Sequence, residues 1–207
     1  MDIEIKALTP ELAPDYFDFF DNRAFHGHEE WSCCYCTWFH MDKSYEKQIG
    51  GQVKADGGSD ALRRALRGLA GEFLTDGTLH GYLAYDGGVA VGWCNANDKT
   101  AFRRFDFNAE LSDFIRGGDS GNTKIKAITC FVIAPEYRGK GFATSLLKRV
   151  ITDAHLDGYD AVEGYPRLKY NEHEPFGYNG PLRLYQKCGF TESAQKENIV
   201  IMRKTFD

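Results

Sequence analysis

The stretch that decides the fold is CFVIAPEYRGKGFATSLLKRV, residues 130–150. It opens as a continuous apolar run that ends at Pro135, which is typical of a central strand covered on both faces. A turn follows, and a helix begins at once. Apolar residues then recur at helical spacing over 142–156, and Gly158 supplies the stop. The spacing therefore predicts a buried strand, a glycine turn and a long helix.

The turn between this strand and this helix favours an anionic ligand. Gly139 and Gly141 let the backbone approach a ligand closely, and the first turn of a helix leaves amide N–H groups without acceptors. Those donors and the helix dipole attract a phosphate. The turn lacks the Gly-Lys-Ser/Thr ending of a Walker loop and the third glycine of a dinucleotide fingerprint. The alternative is a plain glycine turn that joins a strand to a helix.

Alternation and apolar spacing predict the other elements. Strands are predicted over 2–8, on both sides of a turn at Asp86-Gly87, around Val162 and in a final hairpin from residue 189. Helices are predicted from an N-cap at Thr9 to about residue 21, over 61–73 and near 180–188. Residues 50–60 have the composition of a linker. This order predicts a mixed α/β sheet with at least one parallel crossover.

Two ordered motifs resemble the signatures of the GNAT superfamily of N-acetyltransferases. Arg138-x-x-Gly141-x-Ala143, after a Pro-Glu-Tyr, resembles the acyl-CoA-binding signature Arg/Gln-x-x-Gly-x-Gly/Ala. LRLYQKCGF, residues 182–190, resembles the second signature, a helix carrying Leu-Tyr before a Gly-Phe that opens a strand. The resemblance covers residues 79–205, and the first strand and helix also look like the family's. The cysteine-rich stretch near the N-terminus looks like that of a bacterial subgroup.

The resemblance implies the fold and the co-substrate. The expected fold is a single GNAT-like domain over residues 1–207. Its sheet is mixed, mostly antiparallel and of about seven strands, with a central parallel split and flanking helices. Acetyl-CoA is the implied co-substrate, with its pantetheine arm held in the split by Phe131, Val132 and Ile133. The pyrophosphate would bind the backbone of the turn and first helical turn, which comprise Arg138, Gly139, Lys140, Gly141, Phe142, Ala143 and Thr144.

The resemblance also implies catalytic roles. An amide N–H near Phe131 or Val132 would donate to the thioester oxygen. Tyr185 matches the family tyrosine that faces the leaving sulfur, so it is the candidate general acid; the alternative is a tyrosine that only packs its helix on the sheet. Glu163, on the second strand of the split, is the candidate general base, directly or through a water molecule; the alternative is that it orients a loop or a substrate ammonium group. Asn179 lies one residue closer to Tyr185 than the family pattern expects, and it also reads as an N-cap.

The stretch HGHEEWSCCYCTWFH, residues 26–40, collects reactive residue types. Cys33-x-x-Cys36 followed by His40 has metal-ligand spacing, with His26 or His28 as a fourth ligand. No second CxxC or matching His pair occurs, so we predict no metal, and we expect neither an acyl-carrying thiol nor a disulfide. Packing and pocket lining both stay open for Cys33, Cys34 and Cys36.

The aromatic residues of this stretch fit a buried helix or a pocket lining. The family's acceptor site is built largely from this region, so we expect an acceptor-side segment over 23–58. Trp31, Tyr35 and Trp38 are its candidate substrate contacts.

The net charge of −5 disfavours nucleic acid as a partner. The first residues lack a basic region followed by an apolar run, and no apolar run approaches the ~20 residues of a membrane span, so we expect a cytoplasmic protein without a membrane partner. The predicted activity is acetyl transfer from acetyl-CoA to a primary amine of a small molecule by direct attack. A non-catalytic acyl-CoA sensor and a protein lysine or N-terminal acetyltransferase remain alternatives, and a homodimer stays open.

Overall fold

A computed structural model describes residues 2–58, 60–106, 108–117, 123–169 and 177–206. Within these ranges the strands are β1 (Ile3–Ala7), β2 (Gly81–Asp86), β3 (Val89–Asp98), β4 (Ile125–Ile133), β5 (Ala161–Gly164), β6 (Thr191–Lys196) and β7 (Ile199–Thr205). The helices are α1 (Ala13–Asn22), α2 (Lys43–Asp56), α3 (Ala61–Thr75), α4 (Ala109–Gly117), α5 (Phe142–Leu156) and α6 (Leu182–Lys187).

The strands form one sheet in the order β1-β2-β3-β4-β5-β7-β6. β4 and β5 are parallel, and every other neighbouring pair is antiparallel. This confirms the predicted fold class: one α/β domain with a seven-stranded mixed sheet, a central parallel pair and flanking helices.

The parallel pair opens into a split. Its ladder runs from Ile125 opposite Ala161 to Ile128 opposite Gly164, where β5 ends, while β4 continues to Ile133. The segment before α6 enters the gap. The Phe131 N–H donates to the Tyr178 carbonyl at 2.6 Å, and the Asn179 side-chain amide donates to the Thr129 carbonyl at 3.2 Å. Backbone groups that β5 leaves unpaired therefore find partners in this segment.

Two apolar cores cover the two faces of the sheet. On one face, Phe19 of α1 and Phe73 of α3 pack with Trp93 of β3. On the other face, Leu146 of α5 and Tyr185 of α6 pack with buried residues of β3 and β4. The apolar run predicted for β4 is thus covered on both sides. None of the described helices combines the length and the apolar character that crossing a membrane requires.

The structure corrects several predicted boundaries. Residues 50–56, predicted to be a linker, continue α2, because its glycines lie on the exposed side of a helix that begins at an Asp42 cap. The first α-helix begins at Ala13 rather than after Thr9, since a 3-10 turn comes first and places Pro14 in the first turn of α1. The hairpin turns at Gly87 and Gly88, both with positive φ.

The helix near 180–188 is shorter than predicted. α6 begins at Leu182 with Pro181 as its N-cap, so the predicted N-cap role of Asn179 is wrong. The sequence shows no clear period over 103–121, and α4 occupies Ala109–Gly117 of this stretch. The sequence RGGDSGN, residues 116–122, has the composition of a loop, but residues 118–122 lie outside the described residues.

Removal of the Asp42 cap tests why α2 forms. The Asp42 carboxylate accepts hydrogen bonds from the Ser44 and Tyr45 amides. We expect Asp42→Ala to lower the free energy of unfolding in urea by about 1 kcal/mol. Asp60→Ala is the matched control, because Asp60 occupies the N-cap of α3 without a side-chain cap. Equal losses in the two variants would contradict the capping role.

Candidate active site

The C-terminal half of β4 presents backbone groups to the split. The Ala134 N–H donates to the Val91 carbonyl of β3, so with the period of two the Val132 amide also faces β3. Phe131 and Ile133 therefore direct their backbone groups the other way. Two hydrogen bonds are consistent with this direction. The Phe131 N–H donates to the Tyr178 carbonyl, and the Ile133 carbonyl accepts from Arg138 Nε at 3.1 Å. Of the two predicted oxyanion donors, Phe131 has the required direction.

The turn after β4 carries the residues predicted to hold phosphate. Gly139 and Gly141 have φ of +75° and +94°, values that favour glycine. A Cβ at either position would meet nothing within 4 Å, so backbone conformation rather than space explains both glycines. Gly141 is the N-cap of α5 and offers no side-chain cap, so the amides of its first turn face outward. Arg138 and Lys140 are both exposed beside this turn.

A single cavity of about 240 Å³ joins this turn to the aromatic stretch near the N-terminus. Arg138 and Ala143 line one end, and Phe131, Val132 and Ile133 follow along β4. The aromatic side chains on its wall are Phe25, Trp31, Trp38, Phe39, Phe131 and Tyr178. The predicted cofactor side and the predicted acceptor side therefore meet in one space.

Two of the three predicted substrate contacts lie on this wall. Trp31 and Trp38 both line the cavity, and Arg104 stacks on the Trp38 ring with its guanidinium carbon 4.2 Å from the ring centre. Tyr35 is fully buried outside the described wall, and its hydroxyl donates to Asp21 at 2.6 Å. This placement argues against a substrate contact for Tyr35, whose side chain instead joins the first helix to the stretch.

The cysteines contribute neutral thiols to the wall. Cys34, Cys36 and Cys130 line the cavity, and the Cys36 thiol contacts the thiols of the other two. The contact with Cys36, then burial, raises the pKa of Cys34 well above its ordinary value. The contact with Cys130, then burial, does the same to the pKa of Cys36. All three are free, and among the described residues no group of three metal-binding side chains could hold an ion.

Tyr185 lies at the fork of the split. It is fully buried, and its hydroxyl donates to the Asn179 carbonyl at 2.6 Å. The side chain lies against Gly164, where a Cβ would stand 2.1 Å from the tyrosine ring and 2.5 Å from its hydroxyl oxygen. Gly164 is the last residue of β5, so the hydroxyl stands where β4 and β5 part. Tyr185 itself is not among the described residues that line the cavity, but the neighbouring Leu184 is.

Glu163 is buried on β5 and fully engaged. Its Oε2 lies 2.9 Å from Lys99 Nζ and accepts from the Tyr165 hydroxyl at 3.0 Å. Its Oε1 accepts from Arg203 Nε at 2.7 Å. Two cations stabilise the carboxylate, and Glu163 is not among the described residues that line the cavity. The arrangement argues against the predicted general base, because a base needs a free oxygen near the amine.

Cys130 and Tyr178 line the cavity without having been predicted, whereas Phe39 is one of the aromatic residues for which a pocket lining was expected as one possibility. For Cys130 a signal existed: the period of two places its side chain with Val132, on the face that the cysteine-rich stretch covers. Phe39 lies in a 3-10 turn, and Tyr178 lies in a turn outside any helix or strand. No periodicity in the sequence therefore indicates the direction of either side chain. The His40 imidazole, weighed above as a metal ligand, lies behind the wall, with Nε2 3.4 Å from Asn95 Oδ1.

Comparisons with known proteins agree with this geometry. A family model described as acetyltransferase (GNAT) domain matches residues 78–192, more than half of the chain. The chain therefore belongs to the GNAT acetyltransferase family. This confirms the resemblance seen in the two motifs. No curated protein matches the chain in sequence.

Solved structures share the fold at low sequence identity. PaiA N-acetyltransferase from Thermoplasma acidophilum, solved in complex with coenzyme A, is 13% identical with a TM-score of 0.51, and both chains are covered completely. PH1933 from Pyrococcus horikoshii OT3 is 18% identical with a TM-score of 0.50, over 100% of this chain and 99% of that one. The GNAT domain of S. lividans PAT is 11% identical with a TM-score of 0.50, over 99% and 90%.

The buried His40 makes stability depend on pH. Burial lowers the pKa of His40 to about 4. The unfolded chain takes up this proton near pH 6.5, so the stability linked to His40 is present above that pH and is lost as the pH falls toward 4. At pH 5 the loss is about 2 kcal/mol relative to pH 7.

Urea unfolding of the native chain and of His40→Gln at pH 7 and pH 5 measures this loss. We expect the drop in unfolding free energy between the two pH values to be about 2 kcal/mol smaller in His40→Gln. His155→Gln, at an exposed histidine, should keep the drop of the native chain. If the unfolding free energy of His40→Gln fell as much as that of the native chain, folding would not lower the pKa of His40.

Proposed function

We propose that the chain transfers an acetyl group from acetyl-CoA to a primary amine of a small molecule by direct attack. The observation that carries this proposal is the single cavity that joins the turn after β4 to Trp31 and Trp38. An acyl donor bound at one end and an amine at the other would meet beside the Phe131 amide. Holding both reactants in one space converts their encounter into an intramolecular step.

The donor would bind along β4 and the start of α5. Phe131, Val132 and Ile133 would flank the pantetheine arm, since all three line the cavity. The backbone of the turn and of the first turn of α5, which comprises Arg138, Gly139, Lys140, Gly141, Phe142, Ala143 and Thr144, would hold the pyrophosphate. The cationic side chains of Arg138 and Lys140 add to this attraction.

The Phe131 amide is the proposed oxyanion donor. In the structure it already donates to a carbonyl oxygen, that of Tyr178, at 2.6 Å. The amide therefore has the direction and the room to bond a carbonyl within the split. We propose that the thioester carbonyl takes the place of the Tyr178 carbonyl, so that the amide faces the oxygen that gains negative charge.

Tyr185 is the proposed general acid. Attack of the amine on the thioester carbon forms the C–N bond, and collapse of the tetrahedral intermediate breaks the C–S bond. The Tyr185 hydroxyl, at the fork of the split, would protonate the departing thiolate and regain a proton from the acetylated nitrogen. Its present acceptor, the Asn179 carbonyl, belongs to the same segment as Tyr178. Displacing that segment would free the hydroxyl.

For Glu163 we propose positioning instead of base catalysis. Its bonds to Lys99 and Arg203 join β5 to the segment after β3 and to β7. The carboxylate would thus hold β5 at the angle that keeps the split open. The free cysteines and the absence of a membrane-spanning helix among the described residues support a cytoplasmic site of action.

Replacement of Tyr185 tests the proposal. We expect Tyr185→Phe to lower kcat by about 100-fold, because general acid catalysis contributes at least this much. Acetyl-CoA affinity, measured by calorimetry, should stay within about twofold, since the change removes a group that acts on the leaving sulfur. Tyr85→Phe is the matched control: it removes a tyrosine hydroxyl bonded to Asp15 at 2.8 Å, away from the cavity, and should keep kcat.

The same assay separates the alternatives. Release of the CoA thiol is followed with acetyl-CoA and a panel of small amines and peptides. Tight acetyl-CoA binding without release for any acceptor would identify a sensor. Faster release with peptides than with small amines would identify a protein acetyltransferase. Equal kcat in Tyr185→Phe and the native chain would remove Tyr185 from the mechanism.

A further inference from the structure

We propose that the acceptor is a compact aromatic primary amine that enters the cavity in its neutral form. The proposal rests on the proposed function, and it names the class of acceptor. Three properties of the cavity favour such an acceptor: the aromatic composition of its wall, the position of its charge and its volume.

The acceptor end of the wall is aromatic and apolar. Trp31, Trp38 and Phe25 line it beside Phe39, and the Phe39 and Tyr178 rings lie 6.2 Å apart at 48°. Rings in such tilted arrangements offer edges and faces to a further ring. An aliphatic polyamine would gain much less from this surface, because its carbons are interrupted by charged nitrogens that need water or hydrogen-bond acceptors.

The charge on the wall disfavours an ammonium ion. Among the described residues that line the cavity, Arg138 is the one side chain with a full charge, and it lies at the phosphate end. Arg104, which stacks on the lining residue Trp38, is a further cation beside the acceptor end. The other titratable groups on this part of the wall are Tyr178 and the thiols of Cys34, Cys36 and Cys130. Despite a hydrogen bond from Cys36 that lowers it, the pKa of Cys130 is raised by burial and nearby thiols, so this thiol is neutral like the other two.

These conditions select the neutral amine. Transfer of an ammonium group to apolar surroundings without a carboxylate partner lowers its pKa, so the nitrogen arrives with its lone pair free. The nitrogen then attacks the thioester carbon, and one of its protons ends on the CoA sulfur. Amine and acetyl-CoA are converted to amide and free CoA with no net proton released. The proton of the ammonium form is left in bulk water before the amine enters, so no base in the position of Glu163 is required.

The volume limits the size of the acceptor. The cavity measures about 240 Å³, below the roughly 300–1,000 Å³ of clefts that enclose a drug-sized ligand. The thioester end of the donor shares this space. What remains fits one ring system on a short aminoalkyl chain rather than a peptide or an oligosaccharide.

The test compares 2-phenylethylamine and tryptamine with spermidine and with a tetrapeptide that begins with phenylalanine. We measure kcat/KM from CoA thiol release at saturating acetyl-CoA. The expected result is a kcat/KM at least about tenfold higher for the aromatic amines, since one packed ring is worth more than one methylene in a pocket. A higher value for spermidine or for the tetrapeptide would overturn this proposal and leave acetyl transfer intact. No release with any acceptor would overturn the proposed function as well.

Variants of the two tryptophans test where the acceptor binds. Trp31→Ala and Trp38→Ala should lower kcat/KM for 2-phenylethylamine at least about tenfold, with acetyl-CoA affinity within twofold. Trp31→Phe should recover most of the loss, because it restores a ring. Tyr159→Ala, an aromatic deletion near Lys124 and away from the cavity, is the control that should match the native chain. Unchanged kcat/KM in both tryptophan variants would overturn the placement of the acceptor.

A pH profile tests the neutral form. If the neutral amine binds, kcat/KM rises with pH up to the pKa of the free amine, because this ratio reports free enzyme and free substrate. Replacing 2-phenylethylamine with the less basic benzylamine should move the inflection to lower pH by the difference between the two amines. An inflection that stays in place for both amines would reveal an enzyme base and overturn the proposal.

Discussion

The contact between Tyr185 and Gly164 is the constraint on which the centre of this molecule depends. Because Gly164 has no Cβ, the tyrosine ring can lie directly against the last residue of β5. α6 is thereby fixed at the fork, and the segment before it enters the gap between β4 and β5. Its carbonyl and side-chain amide satisfy the β4 groups that β5 no longer reaches. A larger residue at position 164 would displace the tyrosine and with it the filling of the split.

The wall opposite the split is irregular in backbone but well anchored. Residues 26–40 hold two 3-10 turns and no longer helix or strand. Hydrogen bonds to their carbonyls hold them: the Tyr16 hydroxyl donates to Tyr35 at 2.6 Å, and the Asn95 amide donates to Cys36 at 3.2 Å. A surface fixed in this way has its shape before a ligand arrives, so less conformational entropy is lost on binding.

The sequence predicts the elements whose local signals agree with their tertiary setting. The glycine turn and the apolar period of 142–156 place α5 within its observed limits, Phe142–Leu156. The signals conflict in α2, where Gly50 and Gly51 read as a linker but are tolerated on an exposed helical face.

Side-chain direction in the site was less predictable for a similar reason. Trp31, Tyr35 and Trp38 lie in irregular backbone, where no period shows which of them faces the cavity and which is buried elsewhere. Glu163 lies on a strand of known direction, but its partner Lys99 is distant in sequence, and no local pattern shows that the carboxylate is already paired.

The bond between the Phe131 amide and the Tyr178 carbonyl has a consequence for energetics. If a thioester carbonyl replaces the Tyr178 carbonyl, one neutral hydrogen bond is exchanged for another of similar strength. The exchange then contributes little to affinity in the ground state. The bond to the thioester oxygen becomes stronger than the bond to the Tyr178 carbonyl only when the thioester oxygen becomes an anion, because a charged acceptor forms the stronger hydrogen bond. A segment that already occupies the donor would make this amide selective for the transition state over the substrate.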